Sequence, residues 1–363
     1  MVEMRGPLGA DASWSGGIDL TADVVVPAGR TLVIAAGSRI GAVDPPVESA
    51  LSPRLAFGGR FDPFRQGTVR LVVAGRLIVR GTRSEPARFG GARWGGIVAL
   101  GRGRISARHA LVESDGHALV AVDLARVRFS DCSFAGAGSG AALGGFARAA
   151  FRRCRFGGTG DVGVLACDDA RALLSRCAFE TVKTGAAAED CADLRLRRCG
   201  ARGCSRAGLR ASGAARARAR DCGFEDCEVA ASAQGRSELR AEACGAARGR
   251  TAWEAIDDAR LDVLRSSANG PTTGLWAQDR ARAFCVGGRF ERGRFGLRAS
   301  QDSRLEARET RTQGQSNESV LVEDRAFAEL RGCVDETGKR PGVLGAATAR
   351  ADGTTLRRAV RDE

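Results

Sequence analysis

Residues Ala215 to Arg236 read ARARARDCGFEDCEVAASAQGR, and the chain on either side returns to this pattern about every 22 residues. Taking Cys222 as anchor and stepping both ways gives Cys132, Cys154, Cys177, Cys199, Cys222, Cys244, Ser266, Gly288, Thr310 and Cys333, with every step 22 or 23 residues. A fixed period of this length is the mark of a repeat architecture. Seven residues before each anchor stands a small residue: Ala125, Ala147, Ala170, Ala192, Ala215, Ser237, Ala259, Ala281, Ser303 or Ala326. Two and four residues further on come apolar positions such as Val127 and Phe129, separated by Arg126 and Arg128. This alternation has period two and predicts a strand with one buried face.

A second strand closes each coil, as in GVLAC (163–167), GLRAS (208–212), GLWAQ (274–278) and GLRAS again (296–300). Its inward positions are a large residue (Val164, Leu209, Trp253, Leu275, Leu297, Val320) and then a small one (Ala166, Ala211, Ala255, Ala277, Ala299). A turn follows at Asp168, Asp190, Gly213, Gly235, Asp257, Asp279 and Asp324. Asp and Gly trade places where the backbone needs positive φ or a side-chain cap. Short strands and like residues recurring coil by coil predict an all-β chain, a right-handed parallel β-helix of about 22-residue coils. Each coil adds about 4.8 Å along the axis, the spacing of paired strands. A helical solenoid would instead place apolar residues three and four apart, and a propeller blade would need about twice the period.

The 363 residues are 44% hydrophobic and 27% charged, the composition of a folded chain with a large core. No run is apolar enough to span a bilayer as a helix. Residues 1–13 form an N-terminal segment without the apolar centre of a signal peptide. A natural start at Met1 predicts a cytoplasmic protein, whereas a trimmed chain leaves the cell envelope or the exterior open. Residues 14–102 read as first coils, interrupted at 45–68 by a Pro-, Gly- and Phe-containing loop or cap. Regular coils run over 103–344, and 345–363 read as a C-terminal cap or tail, since an open strand edge invites unwanted pairing.

VVVPAGRTLVIAAGSRI (24–40), followed by LVVAGRLIVRGT (71–82), PARF (86–89) and WGGIVAL (94–100), resembles the opening coils of bacterial right-handed parallel β-helix repeat proteins of the pectin-lyase-like superfamily. The resemblance covers about Trp14 to Leu344 and implies the fold. It does not name an activity, because that fold carries lyases, hydrolases, epimerases, adhesins and scaffolds alike. It also implies frequent export to the cell envelope.

Twelve cysteines, seven of them on the anchor column, match neither zinc-ribbon nor redox spacing. They read as buried thiols, with stacked disulfides the alternative and no metal site or cofactor expected. Net charge is +13, almost all from Arg. Arg126, Arg148, Arg171, Asp193, Arg216, Glu238, Arg260, Arg282 and Arg304 form an outward row. Like charges about 5 Å apart in water repel by under about 1 kcal/mol, so the row is tolerable as a solvated face. Its functional reading is attraction of a polyanion, acidic polysaccharide or anionic membrane surface. Interleaved acids and few aromatics argue against nucleic acid.

The outward side of the closing strand carries the candidate site: Gln234, Glu254, Trp276, Gln278 and Arg298 as ligand-binding residues. An outward indole flanked by Glu254 and Arg298 suits a sugar platform, and it equally suits a plain cation–π contact. For an enzyme the set would be Glu254, Asp257, Asp279 and Arg298. Glu254 and Glu323, three coils or about 14 Å apart, exceed the carboxyl spacing of glycoside hydrolases. Asp257, Asp258 and Asp279 could meet at the turn around calcium, although Asp/Gly exchange favours a structural role. His109 and His117 lack partners for a triad. The residues therefore point to a non-catalytic β-helix binding or scaffold protein recognising carbohydrate or polyanion. The alternatives are a polysaccharide lyase or glycoside hydrolase, and a structural rod that self-associates or holds other proteins.

Overall fold

A computed structural model describes residues 2–42, 68–158, 160–335, 342–343 and 348–352; most of the expected insertion at 45–68 lies outside them. Every described regular element is a β-strand. The chain divides into two compact units, Met1–Gly185 and Ala186–Glu363. Each is a stack of coils whose strands pair in parallel, residue on equivalent residue. In the first unit Arg126–Ser130 lies on Arg148–Arg152, which lies on Arg171–Ser175. In the second, Arg216–Arg220 lies on Glu238–Glu242, which lies on Arg260–Leu264. Val2–Pro7 and Ala12–Trp14 already pair with later strands, inside the expected N-terminal segment. Thr348–Asp352 pairs with Phe327–Arg331, so the strand pattern continues into the expected tail.

Each coil holds three strands rather than the two expected. The coil of the opening stretch has a first strand Arg216–Arg220, a second Gly223–Glu225 and a third Val229–Ala233. Three residues with left-handed backbone separate them: Asp221 (φ 55°), Asp226 (φ 53°) and Gly235 (φ 69°). The next coil repeats this with Ala243, Arg248 and Asp257. Because one left-handed residue turns the chain without breaking the in/out alternation, the short second strand is hidden in the sequence as a continuation of the first. Positive φ is disfavoured for most L-residues, and the corner side chains offset it. Asp168 Oδ2 accepts the Gly145 N–H at 2.7 Å in the first unit, and Asp257 Oδ2 accepts the Gly235 N–H at 2.9 Å in the second.

The anchor column has a physical reason beyond small size. Cys132, Cys222 and Cys244 donate their thiols to the carbonyls of Ser130, Arg220 and Glu242, two residues back at the first corner. Ser266 and Thr310 donate their hydroxyls to Leu264 and Arg308 in the same way. Cys, Ser and Thr exchange there because each supplies one small donor. None of the twelve cysteines, all among the described residues, is in a disulfide, and only Cys191 is exposed. Burial pushes the Cys285 thiol up to about 12. Hydrogen bonding to the neighbouring column thiols Cys132 and Cys199 pushes Cys154 and Cys222 up to about 12.

In the first unit Phe134, Phe156 and Phe179 stack face to face, 5.1 and 5.3 Å between centroids. Such contacts add about 0.5–1.5 kcal/mol each beyond burial. The second unit balances volume from coil to coil. Its second-strand column runs Phe224, Ala246, Ala268, Phe290, and its third-strand column runs Gly208, Ala230, Ala252, Gly274. Glycine stands where the ring is present: a Cβ on Gly208 would lie 2.4 Å from Phe224 Cδ1, and one on Gly274 would lie 2.6 Å from Phe290 Cδ1. Where both columns are alanine, the buried Trp253 indole fills the core edge-on to Phe224 at 6.1 Å.

Gly208→Ala should overpack this layer and lower stability by about 1–3 kcal/mol, measured by urea unfolding, with Phe224→Ala as a second change that relieves the clash. With a thiol reagent under native conditions, one cysteine, Cys191, should react quickly and the other eleven only as fast as the chain opens.

Candidate functional site

The outward side of the third strands in the second unit forms one register column, Arg210, Ser232, Glu254, Trp276, Arg298 and Leu321. The strand pairing sets the order, and the residues just before each strand supply a second row at the same period. That row is Arg206, Glu228, Arg250, Thr272 and Arg294. The two rows meet in a cleft of about 410 Å³ whose polar lining is Arg206, Arg210, Glu228, Ser232, Gln234, Arg250 and Glu254.

Glu254 faces away from the coil interior, as expected, yet it is only 3% exposed. Its carboxylate accepts from Ser232 Oγ at 3.1 Å and from the Arg250 guanidinium at 3.2 Å. Gln234 Nε2 donates to the same Ser232 hydroxyl at 3.2 Å. Arg250 is shared, lying 3.4 Å from Glu228 as well. Arg210 is paired with Glu189, and its Nε is buried without a partner. Arg206 is exposed and has no carboxylate partner among the described residues. The floor of the cleft is a satisfied hydrogen-bond network, and its walls are guanidinium groups.

Trp276 is half-buried rather than the open platform expected. The Arg298 guanidinium, from the following coil, lies 4.5 Å from its ring centroid, and that of Arg250, from the preceding coil, lies 5.9 Å away. The indole N–H donates to Ser300 Oγ at 3.2 Å. Coils stacked about 4.8 Å apart place the next side chain over the ring face, so the ring is held between cations and presents its edge. Arg298 also bonds Glu323 at 2.8 Å. Gln278 is half-buried two residues beyond Trp276.

The structure brings only part of the candidate catalytic set together, Asp257 with Asp279. Glu254 lines the cleft, whereas Asp257 and Asp279 sit at the third corner with φ of 64° and 57°. Asp279 Oδ2 accepts the Asp257 N–H at 3.3 Å, and the Asp279 N–H in turn goes to Gln301 at 2.8 Å. Asp258 pairs in two-point fashion with Arg280, which holds its carboxyl below the usual range. Among the described residues no group of three or more His, Cys, Asp or Glu side chains is arranged to hold a metal ion. His109 is a left-handed residue, and His117 shares a 2.6 Å hydrogen bond with Ser139. The residues missed from sequence are Arg206, Glu228 and Arg250. Their signal was the second row recurring every 22 residues ahead of each third strand.

The stacked three-strand coils make the fold a right-handed parallel β-helix. The family model described as the right-handed beta helix region matches residues 95–245. Among solved structures, the chain is similar to the gp42 tailspike of Acinetobacter phage AS12, at 12% identity and a TM-score of 0.48, covering 97% of this chain and 61% of that one. It is similar to tailspike protein 3 of bacteriophage CBA120, at 12% identity and a TM-score of 0.43, covering 94% and 56%. It is also similar to endopolygalacturonase I from Stereum purpureum, at 10% identity and a TM-score of 0.34, covering 94% and 96%. The chain thus spans less than two thirds of the length of both tailspikes. No curated protein sequence matches it.

Glu254→Ala would leave Ser232 and the Arg250 head without their buried acceptor. The expected cost is about 1–3 kcal/mol, seen as a lower urea midpoint, with Glu254→Gln retaining part of the loss because it still accepts from Ser232.

Proposed function

We propose that the third-strand face of the second unit is a non-catalytic recognition surface for an acidic carbohydrate. The carrying observation is the convergence of Arg206, Arg210 and Arg250 with Gln234 and Ser232 on one cleft. Guanidinium forks match carboxylate geometry, and Gln and Ser supply the mixed donor and acceptor groups that hydroxyls need. The existing ion pairs do not oppose a ligand. The Arg250–Glu228 pair is about half exposed on both sides, and such pairs are worth about 0–1 kcal/mol. A ligand carboxylate can replace Glu228 on Arg250 at small cost.

Binding rather than turnover is supported by the state of the acids. The two carboxylates lining the cleft, Glu228 and Glu254, share the Arg250 guanidinium, and Glu254 also accepts from Ser232, so both are engaged by the protein's own donors. Trp276 contributes by holding Arg250 and Arg298 in place, with its edge toward the ligand.

The experiment is calorimetric titration of a uronic-acid oligosaccharide, against the neutral oligosaccharide of the same linkage, at low and physiological salt. Wild type should bind the acidic sugar only, and Arg250→Ala should weaken it by roughly tenfold, about 1.4 kcal/mol. Trp276→Ala should weaken it less, through loss of order in its flanking arginines. Equal binding by wild type and Arg250→Ala would refute the cleft as the site. Release of shorter sugars that stops in Glu254→Gln would replace this reading with the enzyme.

A further inference from the structure

The first unit carries a second charged surface with a different character. Its five first strands from Arg76–Arg80 through Arg104–Arg108, Arg126–Ser130, Arg148–Arg152 and Arg171–Ser175 pair in register. The register stacks Arg76, Arg104, Arg126, Arg148 and Arg171 in one unbroken outward column. Arg80, Arg108, Arg128 and Arg152 stand on the same face, and all nine arginines are exposed. The remaining outward positions are Ile78, Ser106, Ser130, Ala150, Leu173 and Ser175, so the face holds no carboxylate. None of the nine arginines has an ion-pair partner among the described residues.

The corresponding strands of the second unit behave differently. There Asp193, Glu238, Asp262, Glu306 and Glu329 interrupt the columns and pair with Arg195, Arg216, Arg260, Arg304 and Arg331. Self-neutralisation is thus available to this fold, and the first unit does without it. The uncompensated column springs from strands about 4.8 Å apart, and the repulsion among its cations is one that an external anionic surface would relieve.

Exposed apolar side chains decide which kind of anion fits. Leu173, on the face itself, is 51% exposed. Leu124 and Phe146, at the corners that lead into the strands of Arg126 and Arg148, are 50% and 61% exposed. These are three of the five large apolar side chains exposed among the described residues. Acids lie at the rims: Asp123, Asp168 and Asp169 at the corners that lead into the strands, the first two accepting the N–H groups of Gly101 and Gly145, and Asp131, which is held by Arg153. A sugar needs acceptors as well as donors, and beside nine guanidinium groups this face offers only the hydroxyls of Ser106, Ser130 and Ser175, with no carboxylate or side-chain amide. A lipid headgroup layer needs that combination, cations for phosphates and apolar side chains for the acyl boundary.

We infer that the Arg-column face of the first unit docks on an anionic phospholipid membrane surface, with Phe146, Leu124 and Leu173 entering the interface between the headgroups. The contact is peripheral; no helix of the described chain is long and apolar enough to cross a membrane.

The test is sedimentation of the full chain with vesicles of phosphatidylcholine alone and with added phosphatidylserine, at low and physiological salt. Wild type should bind only the vesicles containing phosphatidylserine. Arg126→Glu with Arg148→Glu should weaken that binding by at least roughly fivefold per charge, while Arg218→Glu on the second unit and Arg250→Ala in its cleft should leave it unchanged. Phe146→Ser with Leu173→Ser should lower retention and leave the residual binding strongly salt-sensitive. Failure of wild type to bind at low salt, or binding that survives the double charge reversal, would overturn the inference. So would intact vesicle binding in Phe146→Ser with Leu173→Ser together with capture of dextran sulfate through the same arginines, which would make the face a general polyanion site.

Discussion

The structure rests on the parallel backbone ladder between coils. Each strand hydrogen-bonds to the equivalent strand of the coils before and after it, so a residue is stacked on its own counterpart about 4.8 Å away. This constraint sets which sequences can fill a coil. Stacked Phe rings gain from it, as Phe134, Phe156 and Phe179 do. Stacked left-handed third corners favour Gly, or an Asp whose carboxylate can cap the neighbouring corner, as Asp257 caps Gly235, whereas first and second corners also take residues such as Ala243 and Arg248. Stacked thiols and hydroxyls work because each binds its own corner carbonyl.

The same constraint governs surface chemistry. A column of one charge is either interrupted by the opposite charge or left as a solvated row of like charges. The second unit takes the first course on its first strands, through pairs such as Arg260 with Asp262. The first unit takes the second. On the third-strand face stacking builds a cleft whose walls come from three successive coils, Arg206 to Glu254. Its geometry follows from register rather than from long loops, which is how uniform coils can still build a polar cleft.

Much of this was open to reading in one dimension. The 22-residue period gave the inward columns, and residues such as Trp253 and Leu275 stand buried where alternation put them. The Asp/Gly exchange gave the third corner. The second strand was hidden because a single left-handed residue, such as Asp221, redirects the chain while preserving alternation. The outward column from Arg210 to Arg298 was legible for the same reason, but its environment was not. Whether Glu254 is open or enclosed depends on how far Arg250 reaches across, and side-chain reach has no periodicity. Trp276 shows the same limit, since its position was plain and its sandwiching between Arg298 and Arg250 was not.

The sequence by itself determined the coil, its period, its inward columns and the residues that share each outward face, because strand periodicity and equal coil length are one-dimensional properties. The tertiary structure alone decided which guanidinium groups find carboxylates, which polar side chains become buried, and which corner carboxylates are consumed by main-chain N–H groups. Those outcomes turn on distances of a few ångströms between side chains 20 to 25 positions apart. The physical reason is that in-register stacking brings the same kinds of residue together in every coil, and the direction each flexible side chain takes there is settled by its three-dimensional neighbours.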